Sequence, residues 1–332
     1  MMDQDTLEML RSSLRHVLTQ DSGGPLAGRL HELGWDEVVA DDSSTALRTM
    51  FEVKGDTLSS ADALGPRLAA VLAESTGDDR VASATVALAS PFGPSRWDEG
   101  TDHLVIDAMT LSAVSSATTV VVPVVPVVPV GAAPRLPIVV AHVGLTSTPL
   151  GGIDESFGAH RLTGDIEADA IEWIDDRLAA TAWNDVVSHG RWLVACELVG
   201  IARHVIAAAA QYTGERVQYG RKIGTFQALQ HRVASAHSMV IGAGHLAAEA
   251  GNAGDDWSAL VAKAMAGQAA EFACTQAQQC YGAIGFTWEH EFHRYLRRTY
   301  MLDRLFGDWR SLEHEIGMRL QATGVVPHIG SL

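Results

Sequence analysis

Apolar residues recur every three to four positions near the start of the chain, where Leu7, Met9, Leu10, Leu14, Val17 and Leu18 mark one helical face. The same spacing runs through "STALRTMFEVKG" and "PRLAAVLAES", with Ser44 and Pro66 placed to start helices. Beyond residue 80 the texture changes. "VASATVALAS", "HLVIDAM", "TTVVVPVV" and "PIVVAHV" are short and rich in Val, Ile and Thr, and Gly, Pro and Asp punctuate them. Helical periodicity then returns in long, Ala-rich segments over roughly 187–213, 226–250 and 257–281, the last capped by Asp255 or Asp256. A fourth covers 290–320 and breaks at Gly307. Four such segments in succession suit a four-helix bundle. The pattern predicts a mainly α chain with a central β domain: an N-terminal helical domain over 1–80, a small β domain over 81–178, and a bundle over 179–332.

Composition narrows the partners. The 332 residues carry a formal net charge of −16, and no Lys/Arg run is longer than Arg221-Lys222 or Arg297-Arg298, which argues against nucleic acid and anionic membranes. "TTVVVPVVPVVPV" (118–130) is too short and too Pro-rich for a spanning helix, which needs ~20 apolar residues. It reads instead as an extended strand or edge segment. The acidic N-terminus has no apolar signal-peptide core. Three Cys in apolar or helical surroundings, without metal spacing, predict buried thiols in a reducing cytoplasm.

Few local patterns carry chemistry on their own. "GAGHLA" (242–247) imitates part of a dinucleotide fingerprint but lies inside a helical repeat, which makes it a packing motif. His231, His290 and His293 lack the spacing of a metal helix, and no metal is expected.

Two long segments carry more. "GERVQYGRKIGTFQALQHRVA" (214–234) resembles the Arg-x-x-Phe-Gly…Ile-Gly-x-Phe-Gln…Gln-His motif of acyl-CoA dehydrogenases, and "QCYGAIGFTWEHEFHRYLRR" (279–298) resembles that family's Gln-x-x-Gly-Gly-x-Gly segment. The resemblance implies an acyl-CoA dehydrogenase-like fold, FAD held at a subunit interface, and removal of two hydrogens from an acyl-CoA. Carried over at matching positions, Arg216 would reach the flavin diphosphate and Phe226 and Gln227 the adenosine end. Gln279, Gly282 and Ala283 would let backbone N–H groups approach the diphosphate.

The family pattern also breaks. "VALASPFGPSRWDEG" (86–100) keeps little of the loop that cups the flavin ring. Phe306 stands where most members have the catalytic Glu, and Gly190 stands at the alternative base position. Glu197, two turns further along, is the remaining candidate base, because its apolar neighbours would desolvate it; its bland reading is a structural carboxylate paired to Arg203 or a neighbouring helix. The resemblance therefore points to one subunit of a heteromeric, α2β2 steroid-type enzyme. Its partner would be a second acyl-CoA dehydrogenase-like chain supplying the base, its substrate a bulky acyl-CoA such as a steroid-derived thioester, and its acceptor an electron-transferring flavoprotein. Two alternatives stay open: a self-sufficient homo-oligomer using Glu197, and a non-enzymatic scaffold.

Overall fold

A computed structural model describes residues 2–20, 26–90, 92–98, 102–115, 118–124, 136–140 and 144–327. The elements run α1 (Gln4–Thr19), α2 (Leu26–Glu32), α3 (Trp35–Thr57), α4 (Leu64–Thr76), β1 (Thr85–Val86), β2 (Leu88–Ala89), β3 (Arg96–Asp98) and β4 (His103–Thr110). They continue β5 (Thr119–Val121), β6 (Pro137–Val140), β7 (Leu145–Pro149), β8 (His160–Glu167), β9 (Glu172–Trp173) and α5 (Asp176–Glu215). The last are β10 (Val217–Gln218), β11 (Arg221–Lys222), α6 (Gln227–Ala253), α7 (Asp256–Tyr281), α8 (Phe292–Arg304) and α9 (Trp309–Thr323). Two compact units result, one of residues 1–61 with 190–332 and one of 62–189. These limits differ from the three-part division read from the sequence. The first three helices share a unit with the bundle, whereas α4 goes with the strands.

In the strand unit, β4 pairs with β8 over eight residues, and β2, β3 and β7 complete that sheet. Alternation along β4 turns Leu104, Ile106 and Ala108 inward, where they meet Leu162 and Ile166 of β8 in a dry core. A second sheet orders β1, β5, β6 and β9. The Val-rich run holds no edge position here, since β5 lies between β1 and β6. Val120, Val121 and Val122 are all buried, as a strand covered on both faces requires. Pro123 lies beyond the end of β5, where its missing N–H costs the strand no ladder bond; residues 125–130 of that run lie outside the described residues.

In the helical unit, α3 begins at Trp35, nine residues before Ser44. It is interrupted at Asp42, whose φ of −148° and ψ of 79° break the helix and whose carboxylate accepts the Thr45 N–H at 3.1 Å. The segment after the break is therefore capped much as a new helix would be. Asp255 caps α7, accepting the Ser258 N–H at 2.9 Å. A short Gly254-Asp255 link turns α6 into α7, so the two run antiparallel, with Ala243, Gly244, Ala247 and Ala250 of α6 buried. The long helix α5 has an apolar window that would suit a bilayer by length and composition, but 72% of that window is buried inside the fold. It is a core helix.

Candidate functional site

The end of the bundle where α5 stops and α6 starts is built by a tight hairpin. The Arg216 N–H donates to the Tyr212 carbonyl at 2.9 Å and its own carbonyl accepts from Ile223 at 2.8 Å, folding β10 and β11 back on the last turn of α5. Tyr219 and Gly220 form the two-residue turn with φ of 53° and 75°, the left-handed pair that matches strand twist. A tyrosine there costs about 1–2 kcal/mol of backbone strain relative to glycine. Its ring stands 92% exposed. Phe226 is half-buried, with the Arg221 guanidinium 3.9 Å over its face and Tyr219 at its edge.

From there α6 runs away and α7 returns, so α7 finishes at the end where α5 stops. A Tyr212–Tyr281 edge contact at 5.2 Å ties the two helix ends together. Topology thus gathers Arg216, Phe226, Gln227, Gln279, Gly282 and Ala283 at one end of the bundle. All except Phe226 are exposed. One expected role is corrected. The Gly282 N–H is already donated to the Gln278 carbonyl, so it is not free for a diphosphate. What Gly282 contributes is shape: φ 63° and ψ −136°, a conformation reserved for glycine, with nothing within 4 Å of where a Cβ would stand. A guanidinium, two carboxamides and a backbone stripped of side chain form a donor set that fits phosphate oxygens. Tyr219 was given no role in the sequence reading; its signal was its place as the aromatic of the Arg-x-x-Phe-Gly match.

The two base positions meet in space. Phe306 and Gly307 follow α8 with φ of 58° and 103°, and the Phe306 ring lies so close on Gly190 that any Cβ at 190 would overlap it. The turn is clamped. Arg191 Nε donates to the Phe306 carbonyl at 3.2 Å, and the buried Lys263 Nζ donates to the carbonyls of Asp303 at 3.0 Å and Gly307 at 3.1 Å. Burial lowers Lys263 to about 8 and raises the Asp303 carboxyl, 3.4 Å from the ammonium. Where a proton acceptor is expected from either direction, there is a benzene ring packed on a bare Cα.

Glu197 does not replace it. It is 1% exposed, takes a 2.7 Å hydrogen bond from Lys54 and lies 3.7 Å from Arg298. Arg203, its expected partner, pairs with Glu52 instead at 2.6 Å. The backbones of α3 and α5 touch here, since a Cβ on Gly55 would strike the Glu197 carbonyl and one on Gly200 the Glu52 carbonyl. A carboxylate sealed between two cations in a helix contact holds the fold together and has no path to a substrate proton. The reading of Glu197 as a base is corrected on that ground.

In the strand unit, the segment in place of the flavin-cupping loop forms β2, a turn and β3, with Pro91, Glu99 and Gly100 outside the described residues. Ser95 ties β3 to β4 through bonds with both the N–H and the carbonyl of Asp107 at 3.1 Å. Asp107 in turn takes a two-pronged bond from Arg161, which lies over Phe92. These side chains are spent on one another.

Residues 181–319 match the family model described as acyl-CoA dehydrogenase, C-terminal domain. Over those residues the chain is similar to the acyl-CoA dehydrogenase C-terminal domain. Members of that family are FAD-dependent flavoproteins. Similar curated proteins include the acyl-CoA dehydrogenase IpdE2 of Mycobacterium tuberculosis, 36% identical over 32% of this chain and 34% of that protein. IpdE2 of Mycolicibacterium smegmatis is 34% identical over 37% of this chain and 41% of that protein. The chain thus spans between a third and two fifths of the length of these relatives. Among solved structures, a variant of the Tcur3481-Tcur3483 steroid ACAD superposes with a TM-score of 0.75 at 22% identity, covering 96% of this chain and 98% of that one. The ChsE4-ChsE5 complex from Mycobacterium tuberculosis gives 0.74 at 18% identity, covering 98% of each. At such identities the likeness establishes the acyl-CoA dehydrogenase fold across the chain, and only the fold.

Proposed function

We propose that this chain is one subunit of a FAD-dependent acyl-CoA dehydrogenase, contributing flavin contacts to an active site that a second, dehydrogenase-like chain completes. One observation carries the reading. The flavin-type donors remain together on an open surface, while both base positions of the family are filled by Phe306 packed on Gly190. A cofactor resting on Arg216, Gln227 and the Gln279–Ala283 turn is covered on its far side by another chain. Bound flavin supplies the two-electron acceptor for α,β-dehydrogenation of the thioester. On this reading Arg216 pairs with a phosphate oxygen, the Gln227 and Gln279 carboxamides orient the nucleotide, and Gly282 lets it approach the backbone. The partner supplies the carboxylate that takes the α proton. Fold likeness to the ChsE4-ChsE5 complex and to the Tcur3481-Tcur3483 steroid ACAD supports a heteromeric, α2β2 arrangement and a bulky, steroid-derived acyl-CoA. An electron-transferring flavoprotein is the acceptor and the cytoplasm the setting that this reading adopts.

The test is expression of the chain alone and together with its dehydrogenase-like partner, followed by flavin absorbance and acyl-CoA turnover. The lone chain is expected to be colourless and inactive, and the pair yellow and active. Turnover by the lone chain would overturn the shared site, and a pair without flavin would favour a scaffold.

A further inference from the structure

The junction of α5, the end of α7 and the first turn of α8 encloses a recess of about 180 Å³ that the flavin reading does not use. Aromatic rings form its walls. Tyr212 meets Tyr281 edge-on, Phe292 packs on Tyr281 with centroids 5.5 Å apart, and Tyr295 stacks on His204 at 4.2 Å and 13°. His290 closes one side, 4.3 Å from Tyr281.

These walls are fixed. Tyr281, Phe292 and Tyr295 are buried, the Tyr295 hydroxyl donates to the Asp56 carbonyl at 3.1 Å, and His290 Nδ1 accepts the Phe292 N–H at 3.1 Å. Burial pushes the Tyr281 hydroxyl up to about 12, so the ring stays a neutral phenol.

The charged groups of the lining are two carboxylates, Glu215 and Glu291, both exposed, with Gln211 holding Glu215 at 3.0 Å. Among the described residues no Lys or Arg lines the recess. Aromatic faces are electron-rich and attract cations, more strongly as water is excluded. Carboxylates at the mouth add to that attraction and repel anions. The volume falls below the ~300–1,000 Å³ of sites for drug-sized ligands, which suits a headgroup and excludes a nucleotide or an acyl-CoA.

We propose that this aromatic recess binds a small organic cation, an alkylammonium, quaternary ammonium or guanidinium group. A free amine and a Lys or Arg side chain of a partner share that chemistry.

The test is a titration of the full chain at pH 8, above the ordinary imidazole range, with choline and separately with its uncharged isostere 3,3-dimethylbutanol. Sodium chloride holds the ionic strength constant, and the His204 and His290 imidazole resonances are read by NMR. Choline is expected to shift both rings saturably, and the isostere to bind at least ~10-fold more weakly. Glu215→Gln with Glu291→Gln, at exposed positions that leave the fold intact, should weaken choline by ~10-fold, whereas Tyr281→Phe keeps the ring and stays within ~3-fold of the parent. Equal binding of choline and isostere, or no saturable shift with choline, n-butylammonium or guanidinium, would overturn the proposal. Repeating the titration on the assembled pair separates the sources, since a response lost on assembly assigns the recess to a partner's basic side chain and a response retained assigns it to a free cation. The titration of the lone chain stands or falls independently of the shared flavin site.

Discussion

The hairpin end of the bundle and the Phe306–Gly190 contact belong to the same helices yet treat their side chains in opposite ways. At the hairpin end, Arg216, Gln227 and Gln279 stand in solvent, and the fold makes little use of them. Around Phe306 the polar side chains are engaged: Arg191 and Lys263 donate to backbone carbonyls, and two turns along α5 from Gly190, Glu197 accepts from Lys54. The first region leaves its polar side chains open to solvent. The second is built for packing. The lesson is that one bundle can hold both, and here the closed region is hydrophobe on glycine, locked by buried cations.

Substitutions can break this contrast, and the largest effect is expected at Glu197. Glu197→Ala leaves Lys54 and Arg298 buried beside an empty position and should cost about 3–5 kcal/mol in urea unfolding. Unchanged stability would contradict the structural assignment. Adding Lys54→Met and Arg298→Met to Glu197→Leu should recover much of the loss, because an apolar cluster leaves no buried charge uncompensated. Next comes Gly200→Ala, which forces the α3 and α5 backbones apart and should cost about 1–3 kcal/mol by the same measurement. Arg216→Ala should leave stability within about 0.5 kcal/mol and weaken flavin binding in the assembled pair by ~10-fold or more, the worth of a charge-assisted bond to phosphate. Full flavin affinity in that variant would remove Arg216 from the site.

The gentlest effect is a slope with pH. Lys263 titrates near 8 in the fold, against an ordinary value of 10.5, because burial disfavours its charge. Between those values the unfolded chain holds the extra proton, so the Lys263 contribution grows as pH rises through that window and is lost as pH falls through about 8. Denaturation from pH 7.5 to 10 should show this rise relative to Lys263→Met, and parallel curves would refute it.

Much of the fold was legible because its signals are periodic. The four bundle segments fall within α5 to α9, the short Val-rich runs hold strands, and Gly307 marks the break before α9. What escaped depends on contacts distant in sequence. No local pattern says that β5 is flanked on both sides, or that α4 leaves the other N-terminal helices for the strands. The site was legible in the same proportion. Residue types in two motifs named the exposed set, and the topology of α5, α6 and α7 brought it to one end. Glu197 does pair with neighbouring helices, but its partners could not be named from sequence because Lys54 and Arg298 come from α3 and α8, far along the chain. The bond from the Gly282 N–H to the Gln278 carbonyl follows from helix termination, which the motif alone does not specify.

The exposed aromatics near the hairpin and the α7–α8 turn have a consequence beyond recognition. Tyr219, Phe286 and Trp288 are each more than 70% exposed. Surplus copies would display adhesive patches and fall to clumping or proteolysis. On the proposed two-chain reading, a cell is therefore pressed to synthesise the two polypeptides in equal numbers, with gene dosage and translation rate under the same selection as the chemistry.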